Sequence, residues 1–344
     1  MLKTLFAPAA LALTLVSGAA LAADDLKVIR VGTTNLSSDI GLYLADKRGY
    51  FAAEGLKVEL VPFDSGAKMV APLGSGDLDA GAGAASAGLY NAVNRGLQLK
   101  LVADKGTNIK DYSYKSLTVR KDLVDSGAFK SLADLKGKKV AIIAKGAADE
   151  SVIHQALLKA GLKDTDIEKV YVPFSSQLTA YANKAIDAAI SSEPSTTTMI
   201  QNGVAVRFAG IDTFYPVQQT AMLLMNGRFI ADKDTATKFI KAYLKGVRDY
   251  TATLKDGKIQ GPNAEEMIQE ISNMTGIKDK ALLKAAVPVF INPNGAMALD
   301  SIKTDLDYFK ATGLVGSDID ASKVVDTSLI AAAVAALGSA TVPK

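Results

Sequence analysis

Apolar segments of two different periods alternate along most of this sequence, and that alternation limits the fold more than any other feature. Val28, Ile29 and Val31 form a short β-branched run, and Ile40, Leu42, Tyr43, Leu44 and Tyr50 then recur at roughly helical spacing. Between them lie Thr33, Thr34, Asn35, Ser37, Ser38 and Asp39, small polar residues that suit a strand-to-helix turn with free backbone N–H groups. LKVELVPF (56–63) reads as the next strand, AKMVAPLGSG as a short helix and LDAGAGAA as a strand. AGLYNAVNRG is a helix stopping at Gly96, and LQLKLVAD a further strand. A polar stretch from Asp111 to Ser116 interrupts the series. A second set follows: VAIIA, ESVIHQALLKAGL, KVYVPF, QLTAYANKA, IDAAI, STTTMIQNG and VAVRFAG. The chain then passes Phe214-Tyr215-Pro216, where proline favours a connector over a sheet interior, and re-enters TAMLLMN. Such an order predicts an α/β fold with parallel, helix-covered sheets and right-handed crossovers.

Residues 1–22 read as an export signal, with Lys3 as the charged start, an apolar run from Leu5 to Val16 and Ala20-Leu21-Ala22 as the cleavage site. The run is too short to span a membrane, and so is IAAAVAALGSA near the C-terminus, which reads as a terminal docking helix. The sequence has no cysteine. Disulfides, thiolate metal sites, cysteine nucleophiles and a lipoprotein anchor are therefore excluded, and a periplasmic protein that is not lipid-anchored is expected. The formal charge of +3 is spread along the chain rather than blocked, which suggests neither nucleic acid nor an anionic membrane as partner. Roughly 320 mature residues exceed what one core usually supports, so two lobes are expected.

A weak internal repeat points the same way. Val61-Pro62-Phe63 is followed by a short helix and Leu78-Asp79-Ala80; Val172-Pro173-Phe174 is followed by a short helix and Ile186-Asp187-Ala188. From Ala231 onward the pattern is helical, and these helices are expected to pack around the first lobe. The expected organisation is 23–115 with 217–344 as a discontinuous first lobe and 116–216 as the second.

The segments IGLYLADKRGYFAAEGLKVEL, LGSGDLDAGAGAASAGLYNAV, DLKGKKVAI, IDAAISSEP and DLDYFKATGLV resemble the periplasmic substrate-binding proteins of ABC importers, in the branch serving nitrate, taurine and aliphatic sulfonates. Proteins related to thiamine-pyrimidine synthases belong to the same branch. The resemblance spans nearly all of the mature chain. It implies a type II periplasmic binding fold, two α/β lobes joined by two crossing hinge strands, with a small ligand held between them and a membrane permease as partner. The connectors near Asp111–Ser116 and Phe214–Gln219 fall where that fold needs them.

Ligands of open parallel sheets bind beyond the carboxyl ends of the strands, at helix N-termini. On that logic the candidates are Ser37, Ser38, Ser65, Gly66, Ala85, Ser86, Gly146, Ala147, Phe174, Ser175, Ser176, Ser191, Ser192 and Glu193, with Tyr112 and Tyr215 as cleft-lining rings beside the connectors. A serine before a helix also serves simply as an N-cap worth ~1 kcal/mol, and Tyr43 and Tyr90, inside amphipathic helices, read as core. Micromolar affinity needs about 8 kcal/mol. Hydrogen bonds to a charged group supply about 1.5 to 3 kcal/mol each, so four or five donors suffice for an oxyanion without an arginine clamp. Arg120 is either an auxiliary cation or part of an ion pair. Glu193, just before Pro194, either opens the next helix or faces the ligand, where it would favour an ammonium or ring N–H.

An enzyme reading finds little support in the residues. Thiamine-pyrimidine synthases rely on a cysteine-rich motif and histidines, whereas this chain's one histidine, His154, sits in an apolar-patterned helix. HExxH and GxxxxGKS patterns are absent from the sequence, and no catalytic, metal or cofactor residue is assigned. The expectation is a monomeric binder of a sulfonate, a taurine-like zwitterion or a related small organic anion. The alternatives are a pyrimidine or aromatic-carboxylate binder on the same scaffold, or a synthase-like enzyme.

Overall fold

The computed structural model describes residues 26–343; the export signal expected at residues 1–22 lies outside them. Two five-stranded sheets organise the chain. The first begins with β1 (Lys27–Thr33), followed by α1 (Ile40–Lys47), α2 (Tyr50–Ala53), β2 (Leu56–Pro62), α3 (Gly66–Ser75), β3 (Ala80–Gly83), α4 (Ala87–Asn94) and β4 (Leu99–Asn108). The chain then crosses to β5 (Lys115–Arg120), α5 (Lys121–Asp125), β6 (Lys139–Ile142), α6 (Asp149–Lys159), β7 (Glu168–Tyr171), α7 (Phe174–Ala182), β8 (Ala188–Ser192), α8 (Ser195–Gln201) and β9 (Ala205–Gly210). It returns as β10 (Gln218–Asn226) and runs on through α9 (Gly227–Ala231), α10 (Lys233–Thr251), a small hairpin of β11 (Leu254–Lys255) and β12 (Lys258–Ile259), α11 (Ala264–Thr275), α12 (Lys280–Ala285), α13 (Leu299–Ala311) and α14 (Ser328–Leu337).

Strand order is β2-β1-β3-β10-β4 in one sheet and β7-β6-β8-β5-β9 in the other. The sheets are mixed rather than wholly parallel. β10 runs against β3 and β4, and β5 runs against β8 and β9. The cause is topological: each of these strands enters its sheet on a crossing from the other half, and so arrives in the opposite direction.

The internal repeat has a structural counterpart. The first Val-Pro-Phe copy closes the edge strand β2 and the second directly follows the edge strand β7, while the two Asp-Ala pairs lead into β3 and β8. Asp79 Oδ2 accepts the Arg30 N–H at 2.9 Å, and Asp187 Oδ2 accepts the Lys139 N–H at 2.9 Å, the same tie at the start of each second strand. Around the first sheet, α10 packs on α1, α2 and α14. Its apolar stripe of Phe239, Ile240, Tyr243, Leu244 and Val247 is fully buried in one core with Leu42 and Leu44. Among the later helices, α13 does more than cover this sheet. It also contacts α6 of the second half.

Candidate functional site: a chamber between the two sheets

The ends of several strands from both halves enclose a small chamber of about 60 Å³. Its first wall is the loop after β1. Asp39 ties that loop down, its Oδ2 accepting the N–H groups of Thr34 and Leu36 at 3.1 and 3.2 Å. The other oxygen, Oδ1, lies 2.7 Å from Lys105 Nζ, a pair in which both side chains are at most 4% exposed. The Lys105 ammonium also donates to Ser38 Oγ at 3.0 Å and to the Ala82 carbonyl at 3.2 Å, so its charge is paired and two of its protons are hydrogen-bonded within the first half.

The second wall depends on glycine. The N-terminus of α3 presses against the end of β3, where a Cβ on Gly66 would stand 2.7 Å from Ala84 N, and one on Gly83 2.5 Å from Gly66 Cα. Only hydrogen fits there, which explains the AGAG composition of β3. Ser86 caps α4 by accepting the Leu89 N–H at 3.2 Å. Here the halves join through their backbones. Ala87 N–H donates to the Gly146 carbonyl at 2.9 Å, and Gly146 adopts a φ of +71°, which favours glycine.

The third wall comes from the second half. Lys115 opens β5, with its N–H held by Asn108 Oδ1 at 2.9 Å. Its buried ammonium bonds to Asp149 Oδ1 at the start of α6 and stands 5.4 Å from the centre of the Phe174 ring. Unlike Lys105, it makes one hydrogen bond among the described residues and keeps two donors in hand. Asp149 Oδ2 is buried without a partner among the described residues. Tyr114 and Thr220 complete the wall, and burial holds the Tyr114 phenol above its usual range, so it stays a neutral hydroxyl. The chamber thus gathers two ammonium groups, the Asp149 carboxylate and the N-terminal ends of α3, α4 and α6, with Asp39 behind Lys105. Anion-binding capacity follows from the helix ends and the unspent Lys115 donors together.

Of the residues singled out from the sequence, Ser38, Ser65, Gly66, Ala85, Ser86, Ala147, Phe174 and Ser192 line the chamber. Ser175 lines the larger space outside it. Gly146 acts through its backbone, its N–H held by Glu150 Oε1 at 2.8 Å. Ser191 is buried within β8, away from the lining. Ser37 donates to the Glu193 carbonyl at 3.2 Å, a contact between the halves. Glu193 also faces away from the chamber: its Oε2 accepts Thr197 N–H at 3.1 Å and Thr197 Oγ1 at 2.9 Å, and Oε1 lies 3.3 Å from Arg207. Burial raises its pKa, opposed by Thr197 and Arg207.

Neither Tyr112 nor Tyr215 lines the chamber. Tyr112 packs on Phe290, and Tyr215 hydrogen-bonds Asp305 on α13 at 3.0 Å. Arg120 sits at the other end of β5 from Lys115, paired with Asp122 and Asp187. Sequence reasoning missed Lys105, Lys115, Asp39, Asp149 and Tyr114 as site residues. The available signal was a lysine placed inside or at the mouth of an apolar strand, where lysine is seldom fully buried unless paired.

Two α/β halves meeting over an interior chamber at their strand ends define the architecture of a two-lobed periplasmic binding protein. The chain belongs to the NMT1/THI5-like family, whose profile matches residues 37–253. It is 28% identical over 258 residues to a Brucella abortus chain named as a binding protein, covering 73% of this chain and 74% of that one. A Brachyspira hyodysenteriae chain named as an ABC transporter periplasmic binding protein is 25% identical over 296 residues, covering 80% of this chain and 81% of the relative. Among solved structures, the alkanesulfonate-binding protein SsuA of Xanthomonas axonopodis pv. citri, bound to MOPS, superposes with a TM-score of 0.70 at 18% identity, covering 89% of this chain and all of that one.

Proposed function

We propose that this protein is a periplasmic solute-binding protein. It captures a small organic oxyanion, of the sulfonate or taurine-like class, between its halves and delivers it to the permease of an ABC importer. The observation that carries the reading is Lys115, a buried ammonium with two unspent donors, placed where three helix N-termini converge. Charge-assisted hydrogen bonds of this kind are worth about 1.5 to 3 kcal/mol each. Two from Lys115, with backbone N–H groups and Ser38, reach the roughly 8 kcal/mol of micromolar binding after association costs. A relative named as an ABC transporter periplasmic binding protein supports the same role, and the N-terminal signal pattern supports export. In this reading the protein binds without chemistry, and the connections β4–β5 and β9–β10 serve as the hinge about which the halves close.

Native mass spectrometry of the purified chain with ethanesulfonate and with taurine tests the proposal. The expected result is a one-to-one complex from which the ligand is recovered unchanged. A converted ligand, or no complex with either compound, contradicts it.

A further inference from the structure

One turn along α13 from Asp305, Tyr308 faces the second half. It is 5% exposed, its ring packed beside Phe309 in a core of the first half and 4.8 Å, centre to centre, from the His154 imidazole on α6. Its hydroxyl enters a charged cluster contributed by the second half. Lys169 Nζ, on β7, donates to Tyr308 Oη at 2.8 Å, and the hydroxyl donates in turn to Asp164 Oδ1 at 3.1 Å. Asp164, between α6 and β7, is held by Lys169 at 2.7 Å and by His154 Nδ1 at 2.5 Å. Burial and the carboxylates of Asp164 and Glu150 keep the phenol above its usual range, so it retains the proton it donates. Glu150 carries the contact inward. It is 4% exposed, and its Oε2 stands 3.5 Å from both Tyr308 Oη and Lys169 Nζ, while Oε1 accepts the Gly146 N–H at 2.8 Å. The Gly146 carbonyl accepts Ala87 N–H from α4, and Ala147, Ala148 and Asp149 after it line the chamber. One carboxylate thus joins a phenol of the first half to the chamber loop of the second.

We propose that Tyr308 is a positioning residue for ligand retention: its phenol latches the first half onto Lys169, Asp164 and Glu150 of the second, and Glu150 passes that hold to the chamber loop at Gly146–Asp149. For its effect on a ligand the latch rests on the solute-binding reading of the chamber. Tyr308 lies outside the chamber lining, so it acts through Glu150 rather than by contact. Lys169, Asp164, His154 and Glu150 all move with the second half, and their mutual pairs survive when the halves part. Only the bonds to the phenol are lost on opening, which makes them specific to the closed arrangement. Hydrogen bonds to charged groups are worth about tenfold or more in an equilibrium. A contact made after the ligand has entered slows its escape and leaves the encounter alone, so the effect falls on dissociation.

Tyr308→Phe, which removes the hydroxyl and keeps the ring beside His154, tests the latch on the full chain in two ways. Amide hydrogen exchange read by mass spectrometry, without added ligand, is expected to run at least threefold faster over residues 145–151 in the variant; equal exchange overturns the latch whatever the chamber binds. Adding Tyr308→Phe to Glu150→Gln is expected to speed that exchange little further, because both interrupt one route, and additive effects overturn transmission through Glu150. Stopped-flow measurements with ethanesulfonate and with taurine are expected to show dissociation at least tenfold faster in Tyr308→Phe, with the association rate and the unfolding midpoint little changed. A lower midpoint with unchanged dissociation makes Tyr308 a packing residue and overturns the proposal. If neither compound binds the unaltered chain, the oxyanion reading fails, and the exchange comparison by itself decides the latch.

Discussion

Lys105 and Lys115 are both buried lysines paired with an aspartate, yet their hydrogen bonding gives them different work. Lys105 is committed inside the first half, its charge paired with Asp39 and two of its protons donated to Ser38 and Ala82. Replacing it with methionine strands the Asp39 carboxylate in a site 3% exposed, and stranding one member of a buried pair costs about 3 to 5 kcal/mol. Urea unfolding is expected to show that loss for Lys105→Met, largely restored in the Lys105→Met/Asp39→Asn double variant. Lys115→Met is expected to weaken sulfonate binding tenfold or more in calorimetry, since the two unspent donors disappear with it. Glu193→Gln leaves the half-buried Arg207 guanidinium without its ion-pair partner, so a lower unfolding midpoint is expected with little change in ligand preference. Altered selectivity between taurine and ethanesulfonate in that variant would instead place Glu193 in the site. The residue-level result explains what sequence reading could and could not reach. Serines before helices announce strand ends, and several of them do line the chamber. A lysine's protons are counted only once its neighbours from distant strands are known, so the two ammonium groups were passed over.

At the scale of elements, the chamber depends on how closely α3 lies on β3. Gly83→Ala would place a Cβ 2.5 Å from Gly66 Cα, a backbone atom that cannot swing aside. Overpacking of this kind costs typically about 1 to 3 kcal/mol. Gly83→Ala is expected to lower thermal stability and to weaken sulfonate binding together, because the α3 N-terminus is pushed off its seat. Unchanged stability and binding would show that the contact relaxes freely. Element order was legible because periods 2 and 3.6 are written locally, and the Val-Pro-Phe repeat foretold two halves of like order. Strand direction was not. That β5 and β10 run against their neighbours follows from where the chain crosses, and no local pattern encodes a crossing. The reach of α13 from the first sheet to α6 was equally hidden, since an amphipathic pattern shows that a face is buried and leaves open what covers it.

For the molecule as a whole, α13 couples the two halves to pH. Asp305 on this helix meets Tyr215 at 3.0 Å and Gln218 at 3.3 Å on the returning connection, and burial raises its pKa to about 7. Asp104, under the chamber floor, is raised by burial to about 6 despite four hydrogen bonds. A carboxyl whose pKa is higher folded than unfolded holds its proton more tightly in the folded protein. Its contribution is fully present below the unfolded value near 4 and is lost as pH rises through the folded one. Unfolding stability is therefore expected to decline from about pH 4 to about pH 7 on account of these two groups. Asp305→Asn is expected to remove part of that slope, gaining on the order of 4 kcal/mol over the unaltered protein at pH 8 and almost nothing below pH 4. A parallel pair of pH curves would contradict this role. The central claim, that the chamber between the sheets receives an oxyanion on Lys115, is tested most directly by diffraction from crystals grown with 2-bromoethanesulfonate. The bromine would be located by its anomalous signal. The account predicts the sulfonate within hydrogen-bonding reach of Lys115 Nζ, with the bromine towards Phe174. A well-occupied sulfonate elsewhere, with the chamber walls unchanged and unliganded, would contradict it.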